Sequence, residues 1–286
     1  MGPFHTILFP TDFSDASRAM AADVRQMAAR CGAEVTVLHA FDVVPLYYLT
    51  AHMDASAGGV SPPMPYAPWA SDLRKRAGAR LERFCEELAG GTRWRPILED
   101  GEPATMIRSV AERIGADLIM LSTKGSGVFR RLLLGSVAAK VLHDARCAVF
   151  TSAHELDPAR VRGGGPPLLL CAVEWNPEAE TILRSAETLA RAWGGTISIV
   201  HMAHRLLLGE SETAQREFLE LVRRLGLPAR LRILDADVAA GIRATAIEEG
   251  ADLVTIGRGK DRGRLSRLWS DVYEIVRESP CPVLSV

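Results

Sequence analysis

The sequence predicts an α/β protein made of two tandem, doubly wound, parallel five-stranded sheets with helices on both faces. Short apolar runs alternate with segments of helical periodicity, the chain repeats itself internally, and a glycine-rich loop links an apolar strand to a helix. Offset by 162 residues, Ile7-Leu-Phe-Pro-Thr-Asp12 aligns with Leu169-Leu-Cys-Ala-Val-Glu174, and the alignment runs without a gap through His39 and His201. Gly32 falls on Gly194 within it. At an offset of 135, Gly115-Ala-Asp-Leu118 meets Gly250-Ala-Asp-Leu253, and at 134 Cys147-Ala-Val meets Cys281-Pro-Val. The offset shrinks because the first half carries about 27 additional residues, mostly between its second strand and second helix.

Within the first half, strands are expected near 4–10, 34–40, 93–98, 117–122 and 147–151, and helices near 15–31, 71–89, 103–114 and 135–144. The second half repeats the strands near 167–173, 196–202, 229–234, 252–257 and 282–286. Strictly alternating strands and helices imply parallel pairing with right-handed crossovers, so ligands belong beyond the carboxyl ends of the strands. The two units are drawn at 1–155 and 165–286, with Gly163-Gly-Gly-Pro-Pro167 as linker. Leu46 to Ala70, with Gly58-Gly59 and four prolines from Pro62 to Pro68, reads as a long irregular loop, either a lid over the pocket or a plain insertion.

Composition narrows the function classes. A chain of 286 residues fits two domains of ~150 residues. Lys plus Arg number 34 against 35 for Asp plus Glu, so no global charge draws nucleic acid or an anionic membrane. Apolar runs such as Leu168-Leu-Leu-Cys-Ala-Val173 fall far short of a bilayer span, and no signal-peptide pattern precedes Phe4, so a cytoplasmic location is expected. Cys31, Cys85, Cys147, Cys171 and Cys281 are scattered without Cys-x-x-Cys spacing and read as small core residues rather than disulfide or zinc partners.

The stretch richest in chemistry runs from Ser122 to Ser136. It follows the buried-strand pattern Ala116-Asp-Leu-Ile-Met-Leu121 and precedes the helical pattern Val137-Ala-Ala-Lys-Val-Leu142. Strand, glycine-rich loop and helix are the parts of a phosphate cradle: Gly125 permits close backbone approach, and amides at the first turn after Gly135 and Ser136 favour an anion. An ordinary tight connection has the same parts. Lys124, Arg130 and Arg131 could neutralise phosphates or simply be solvated, and His39 and His201, at equivalent strand ends, read as satisfied core histidines.

Pro10-Thr-Asp-Phe-Ser14, Leu38-His39, Gly101-Glu-Pro103, Ala116-Asp-Leu118 and Leu132-Leu-Leu-Gly-Ser-Val137 together resemble the universal stress protein family, here as a tandem of two domains. The resemblance implies an adenine nucleotide alpha hydrolase-like, Rossmann-like fold and a stress-response role. It implies nucleotide contacts at Thr11, Asp12, Ala40, Leu121, Ser122, Lys124, Gly125, Gly135, Ser136 and Val137. ATP, or AMP or ADP, is the expected cofactor, with Mg2+ accompanying the phosphates. The family's nucleotide-binding branch has glycine at three fixed positions; Gly125 and Gly135 keep two of them at the family's spacing, while Ser122 replaces the first. Asp12 has a competing role near the cap of the helix that begins near Asp15.

The second half departs further. Glu174 replaces Asp12, Gly257 stands where Ser122 does, and counting back from Cys281 puts Trp269 at the position of Gly135 and Ser270 at that of Ser136. A tryptophan there would fill the space a phosphate needs, so this half is not expected to bind ATP in the same way. Arg258, Lys260, Arg262, Arg264 and Arg267 form a basic run, read either as an anion-attracting patch or as a solvated loop. By resemblance, Ala148-Val-Phe-Thr151 and Pro282-Val-Leu-Ser285 would pair across a two-fold axis, making an intramolecular pseudo-dimer, with further homo-oligomers and protein partners open. No water-activating base or metal-ligand cluster stands out in the sequence, so rapid ATP hydrolysis is not implied; slow turnover and a nucleotide-independent interaction module stay as alternatives.

Overall fold

A computed structural model of the chain describes residues 2–41, 68–123, 134–152, 166–174, 179–202, 210–226, 229–234, 236–258 and 265–286. The first half contains strands β1 (Thr6–Pro10), β2 (Glu34–Phe41), β3 (Trp94–Asp100), β4 (Leu118–Ser122) and β5 (Ala148–Ser152). They alternate with helices α1 (Asp15–Cys31), α2 (Pro68–Leu88), α3 (Pro103–Ile114) and α4 (Ser136–Asp144). The second half repeats this with β6 (Leu168–Ala172), α5 (Ala179–Trp193), β7 (Thr196–Met202), α6 (Glu210–Leu225), β8 (Ala229–Leu234), α7 (Val238–Glu249), β9 (Leu253–Ile256), α8 (Leu265–Glu278) and β10 (Val283–Ser285). The expected elements are present. The main shift is at α2, which starts three residues early at Pro68, since a proline at the first helical position forfeits no hydrogen bond. Most of the long loop expected at 46–70 lies outside the described residues, as does the linker up to Gly165.

The two five-stranded halves are parallel, and they merge into a single ten-stranded sheet in the order β3-β2-β1-β4-β5-β10-β9-β6-β7-β8. The join is antiparallel, with Val283 opposite Thr151, Leu284 opposite Phe150 and Ser285 opposite Val149. The Thr151 hydroxyl adds a hydrogen bond to the Val283 carbonyl at 3.3 Å. Pairing here leaves β3 and β8 as the outer edges, and Pro96 in the first and Arg230 and Arg232 in the second discourage further strand addition.

Each face of the sheet carries an apolar layer that continues across this join. One holds Ile7, Phe9, Val37, Leu118, Leu169, Ile199 and Leu284; the other holds Leu8, Leu38, Ile119, Val149, Leu170, Val254 and Val283. Neighbouring residues in one strand thus face opposite layers, which is why the strands read as unbroken apolar runs. Burial of each large aliphatic side chain contributes roughly 1.5–3 kcal/mol.

The repeated tetrapeptide Gly-Ala-Asp-Leu has a structural meaning. Gly115 and Gly250 end α3 and α7 in the left-handed region, at φ 62° and 67°, where a side chain would be strained. The Asp117 carboxylate then accepts amides at the entry to β1, from His5 just before it at 2.7 Å and from Thr6 at 3.1 Å. Asp252 repeats this by accepting from Leu168 at 2.8 Å.

Asp23, half-buried on α1, has no hydrogen-bonding or ionic partner among the described residues, and burial pushes its pKa from 3.8 up to about 7. Between those values the folded state keeps a proton that the unfolded chain has released, so this residue's contribution falls as pH rises. In urea titrations Asp23→Asn should therefore flatten the decline in stability between pH 3.8 and about 7; an unchanged pH profile would show that Asp23 titrates normally.

Candidate anion cleft at the switch point of the first half

In the order β3-β2-β1-β4-β5, chain direction reverses its march between β1 and β4, and a cleft opens at their carboxyl ends. Its volume is about 150 Å³. Pro10, Thr11 and Asp12 line it after β1, Leu38, His39 and Ala40 at the end of β2, and Leu121, Ser122 and Thr123 at the end of β4. Gly135, Val137 and Ala138 close one side at the start of α4, while Pro103 and Ile107 of α3 close another. The structure thus brings together Thr11, Asp12, Ala40, Leu121, Ser122, Gly135 and Val137, and Ser136 sits between the last two. Lys124 and Gly125, with Arg130 and Arg131, lie outside the described residues.

The turn after β1 is tightly specified. Thr11 donates its amide to the Leu38 carbonyl at 2.8 Å, and its hydroxyl accepts from the Phe13 amide at 3.0 Å. Phe13 takes φ 61°, the only described non-glycine residue with positive φ. Such a conformation costs of order 1–3 kcal/mol in a residue of this size. Packing holds it: the buried Phe13 ring lies 4.3 Å from the His39 ring and 5.6 Å from Phe84, with the Arg80 guanidinium 4.4 Å away over its face.

That turn aims Asp12. Its Oδ1 accepts from the Ser14 amide at 3.0 Å and the Ser17 hydroxyl at 2.7 Å, while Ser14 itself caps α1 by accepting from the Ser17 amide at 3.2 Å. The cap of α1 falls to Ser14, and the bonds that Asp12 accepts among the described residues use Oδ1. Burial raises the Asp12 pKa, the hydrogen bonds from Ser14 and Ser17 outweigh it, and the carboxyl ends below 3.8. The group is ionised at neutral pH and acts as an acceptor only.

His39 belongs to the cleft wall, which the sequence reading did not anticipate. Its Nδ1 lies 2.8 Å from the Thr11 carbonyl. A carbonyl only accepts, so Nδ1 carries the proton and Nε2 of the neutral ring is an acceptor. Burial lowers its pKa, against the hydrogen bond to Thr11, so the neutral form prevails at physiological pH. His201 repeats the contact, with Nδ1 2.9 Å from the Val173 carbonyl, consistent with a structural duty at both places.

The start of α4 is the electropositive part. Gly135 is the N-cap, at φ −61° and ψ 144°, and offers no side-chain bond to the first turn. Its own amide donates to the Thr123 carbonyl at 3.0 Å and so closes the base of the loop instead of facing a ligand. Among the described residues no side chain caps the amides of the first turn, beginning at Ser136. By contrast, Ser14, Glu102 and Asp237 cap α1, α3 and α7 with their side chains. Gly135 is in an ordinary extended conformation, and a Cβ on it would sit 3.4 Å from the Thr123 carbonyl. A side chain is therefore sterically tolerated at this position.

The corresponding place in the second half is built differently. Gly257, at the position of Ser122, faces Ile182, whose Cδ1 would lie 2.6 Å from any added Cβ. Helix α8 begins at Leu265, so Trp269 and Ser270 fall inside it, where α4 has only its cap and first residue. The helix terminus itself is thus displaced. Arg258 of the basic run fits neither earlier reading: it is half-buried, its guanidinium bonded to backbone carbonyls of the first half. Lys260, Arg262 and Arg264 lie outside the described residues.

Residues 3–151 and 168–286 both match the universal stress protein family. This chain belongs to that family. A universal stress protein of Thermus aquaticus is 33% identical over 150 residues, which cover 51% of this chain and 97% of that protein. One from Methanocaldococcus jannaschii is 31% identical over 151 residues, covering 51% and 81%. Among solved structures, a universal stress protein from Archaeoglobus fulgidus superposes with a TM-score of 0.74 at 21% identity, covering 98% of this chain and 95% of that one. Its likeness carries the fold, the adenine nucleotide alpha hydrolase-like arrangement, through both halves of this universal stress protein. Among the described residues no helix is long and apolar enough to cross a membrane.

Ser14 tests the local design of this site. Ser14→Ala should cost about 1 kcal/mol of stability through loss of the α1 cap, measured by chemical denaturation, while Ser14→Asp should restore most of it; equal stability of all three would remove the cap from the account.

Proposed function

We propose that this universal stress protein binds one adenine nucleotide per chain, ATP foremost, in the cleft of its first half, and serves as a stress-response regulator that differs between filled and empty states. The observation that carries the reading is the uncapped first turn of α4 opening on a cleft at the sheet's switch point, beside an ionised, oriented Asp12. Unpaired amides and the helix dipole favour an anion such as phosphate. Asp12 Oδ2 is suited to accept from a ribose hydroxyl, and the backbone at Ala40 with Leu121 is suited to an adenine ring. The cleft's 150 Å³ is below the roughly 300–1,000 Å³ of pockets that enclose whole ligands, so it takes the nucleoside end while phosphates pass along the start of α4.

No cluster of three or more metal-binding side chains occurs among the described residues, so Mg2+ would be held by the phosphates. The second half takes no nucleotide in this reading, since Ile182 faces the Gly257 position and α8 has no helix start there. Occupancy can regulate only if the filled and empty forms differ in affinity for whatever reads them.

Equilibrium dialysis of the purified chain with ATP, with ADP release followed in parallel, should give one retained nucleotide and no sustained turnover. Retention of two per chain would assign a site to the second half, sustained ADP release would make the protein an ATPase, and no retention would leave an interaction module without nucleotide. Gly135→Asp provides the sharper test. An aspartate there caps the first turn of α4 and places its carboxylate where phosphate would lie, so stability should rise by about 0.5 kcal/mol while ATP retention disappears; undiminished binding would exclude the α4 terminus.

A further inference from the structure

Arg258 is where the second half reaches into the first. Its amide donates to the Val286 carbonyl at 3.1 Å, and the Thr123 amide donates to the Ser152 carbonyl at the same distance, so the two residues hold equivalent posts at the ends of β9 and β4. Their side chains diverge. The Thr123 hydroxyl stays local, 3.3 Å from the Ser152 carbonyl. The Arg258 guanidinium instead crosses the β5–β10 join and donates to the carbonyls of Ala145 at 2.8 Å, Leu142 at 3.5 Å and Cys147. Leu142 lies in the last turn of α4, Ala145 follows it and Cys147 leads into β5. Carbonyls at a helix end lack partners within the helix and attract a cation.

The second half meets the counterpart of the Cys147 carbonyl with a local hydroxyl. Ser279 stands where the first half has Ala145, and its hydroxyl donates to the Cys281 carbonyl at 2.7 Å. The first half lacks that hydroxyl and receives the guanidinium from across the join. Two separate differences between the halves, Arg for Thr at one post and Ala for Ser at the other, therefore complement each other. An arginine suits the task because its planar fork spreads five donors over several separated carbonyls, where the compact ammonium of a lysine reaches fewer.

We propose that Arg258 is a positioning residue for the phosphate-binding turn of the other half. This rests on the nucleotide reading of the cleft. Helix α4 has 9 residues, and a helix so short is marginal without tertiary anchors. Gly135 ties its front to Thr123, and Arg258 ties its rear. About 13 Å of helix separates them, short enough to move as one rigid piece, so loosening the rear tilts the first-turn amides that meet phosphate. The charge also stabilises the negative carbonyl end of α4.

Calorimetric titration of the full chain with ATP and with adenosine tests this. Arg258→Met should weaken ATP binding about tenfold and leave adenosine affinity unchanged, because adenosine has no phosphate for α4 to meet. Adding Ala145→Ser to Arg258→Met, which supplies the local hydroxyl that the second half uses, should recover most of the loss. Amide hydrogen exchange over residues 134–144 should speed up in Arg258→Met and slow again in the double variant. ATP affinity equal to wild type overturns the positioning role and leaves the nucleotide reading intact. A parallel loss of adenosine binding, or no recovery with Ala145→Ser, also overturns it, by showing a general defect. Wild-type protein that binds no ATP overturns both readings. Arg258→Lys, whose single ammonium can satisfy fewer carbonyls, should fall between wild type and Arg258→Met and gives the same decision if the methionine variant does not fold.

Discussion

Antiparallel pairing of β5 with β10 is the constraint on which the rest of the molecule depends. Each half alone would expose a strand whose neighbours are all parallel and buried, with its outer row of amides and carbonyls unpaired. Matching those rows within one chain makes a single sheet, lets the apolar layers run on beneath both halves, and brings the end of β9 close enough to α4 for Arg258 to grasp it. The cleft gains from this indirectly. Its walls come from loops at the carboxyl ends of β1, β2 and β4, and loops hold shape only as well as the strands and helices that carry them.

Much of the fold was legible because the residues that specify it act locally. Parallel strands buried on both faces read as continuous apolar runs, and glycines that end helices in the left-handed region mark their boundaries, as Gly32 and Gly194 do at φ 69° and 64°. The Asp in each Gly-Ala-Asp-Leu was visible as a repeat, but its duty was not, since it accepts amides from a strand more than a hundred residues away in the first half. The continuous sheet was legible through family resemblance alone, because no local pattern tells a strand which distant edge it meets.

The site was legible in its glycines and polar residues and obscure in its walls. Ile107 and Ala104 occupy the spacing of any core-facing helix stripe, and nothing in that periodicity tells that one of them faces a cleft. His39 and His201 end strands at equivalent places and so read as core residues, and the place of His39 in the cleft wall emerges only in three dimensions. Arg258 was hidden among other basic residues, and its role depends on carbonyls that any sequence possesses.

The two halves carry the same architecture with different assignments. One keeps a cleft and an open helix start; the other places Ile182 against the corresponding glycine, extends its last helix through the corresponding cap, and lends a guanidinium outward. Because the strands joining them belong to one polypeptide, dilution cannot part the lender from the borrower. Every molecule made therefore contains one of each, a fixed ratio that separate subunits would reach only at concentrations above their dissociation constant.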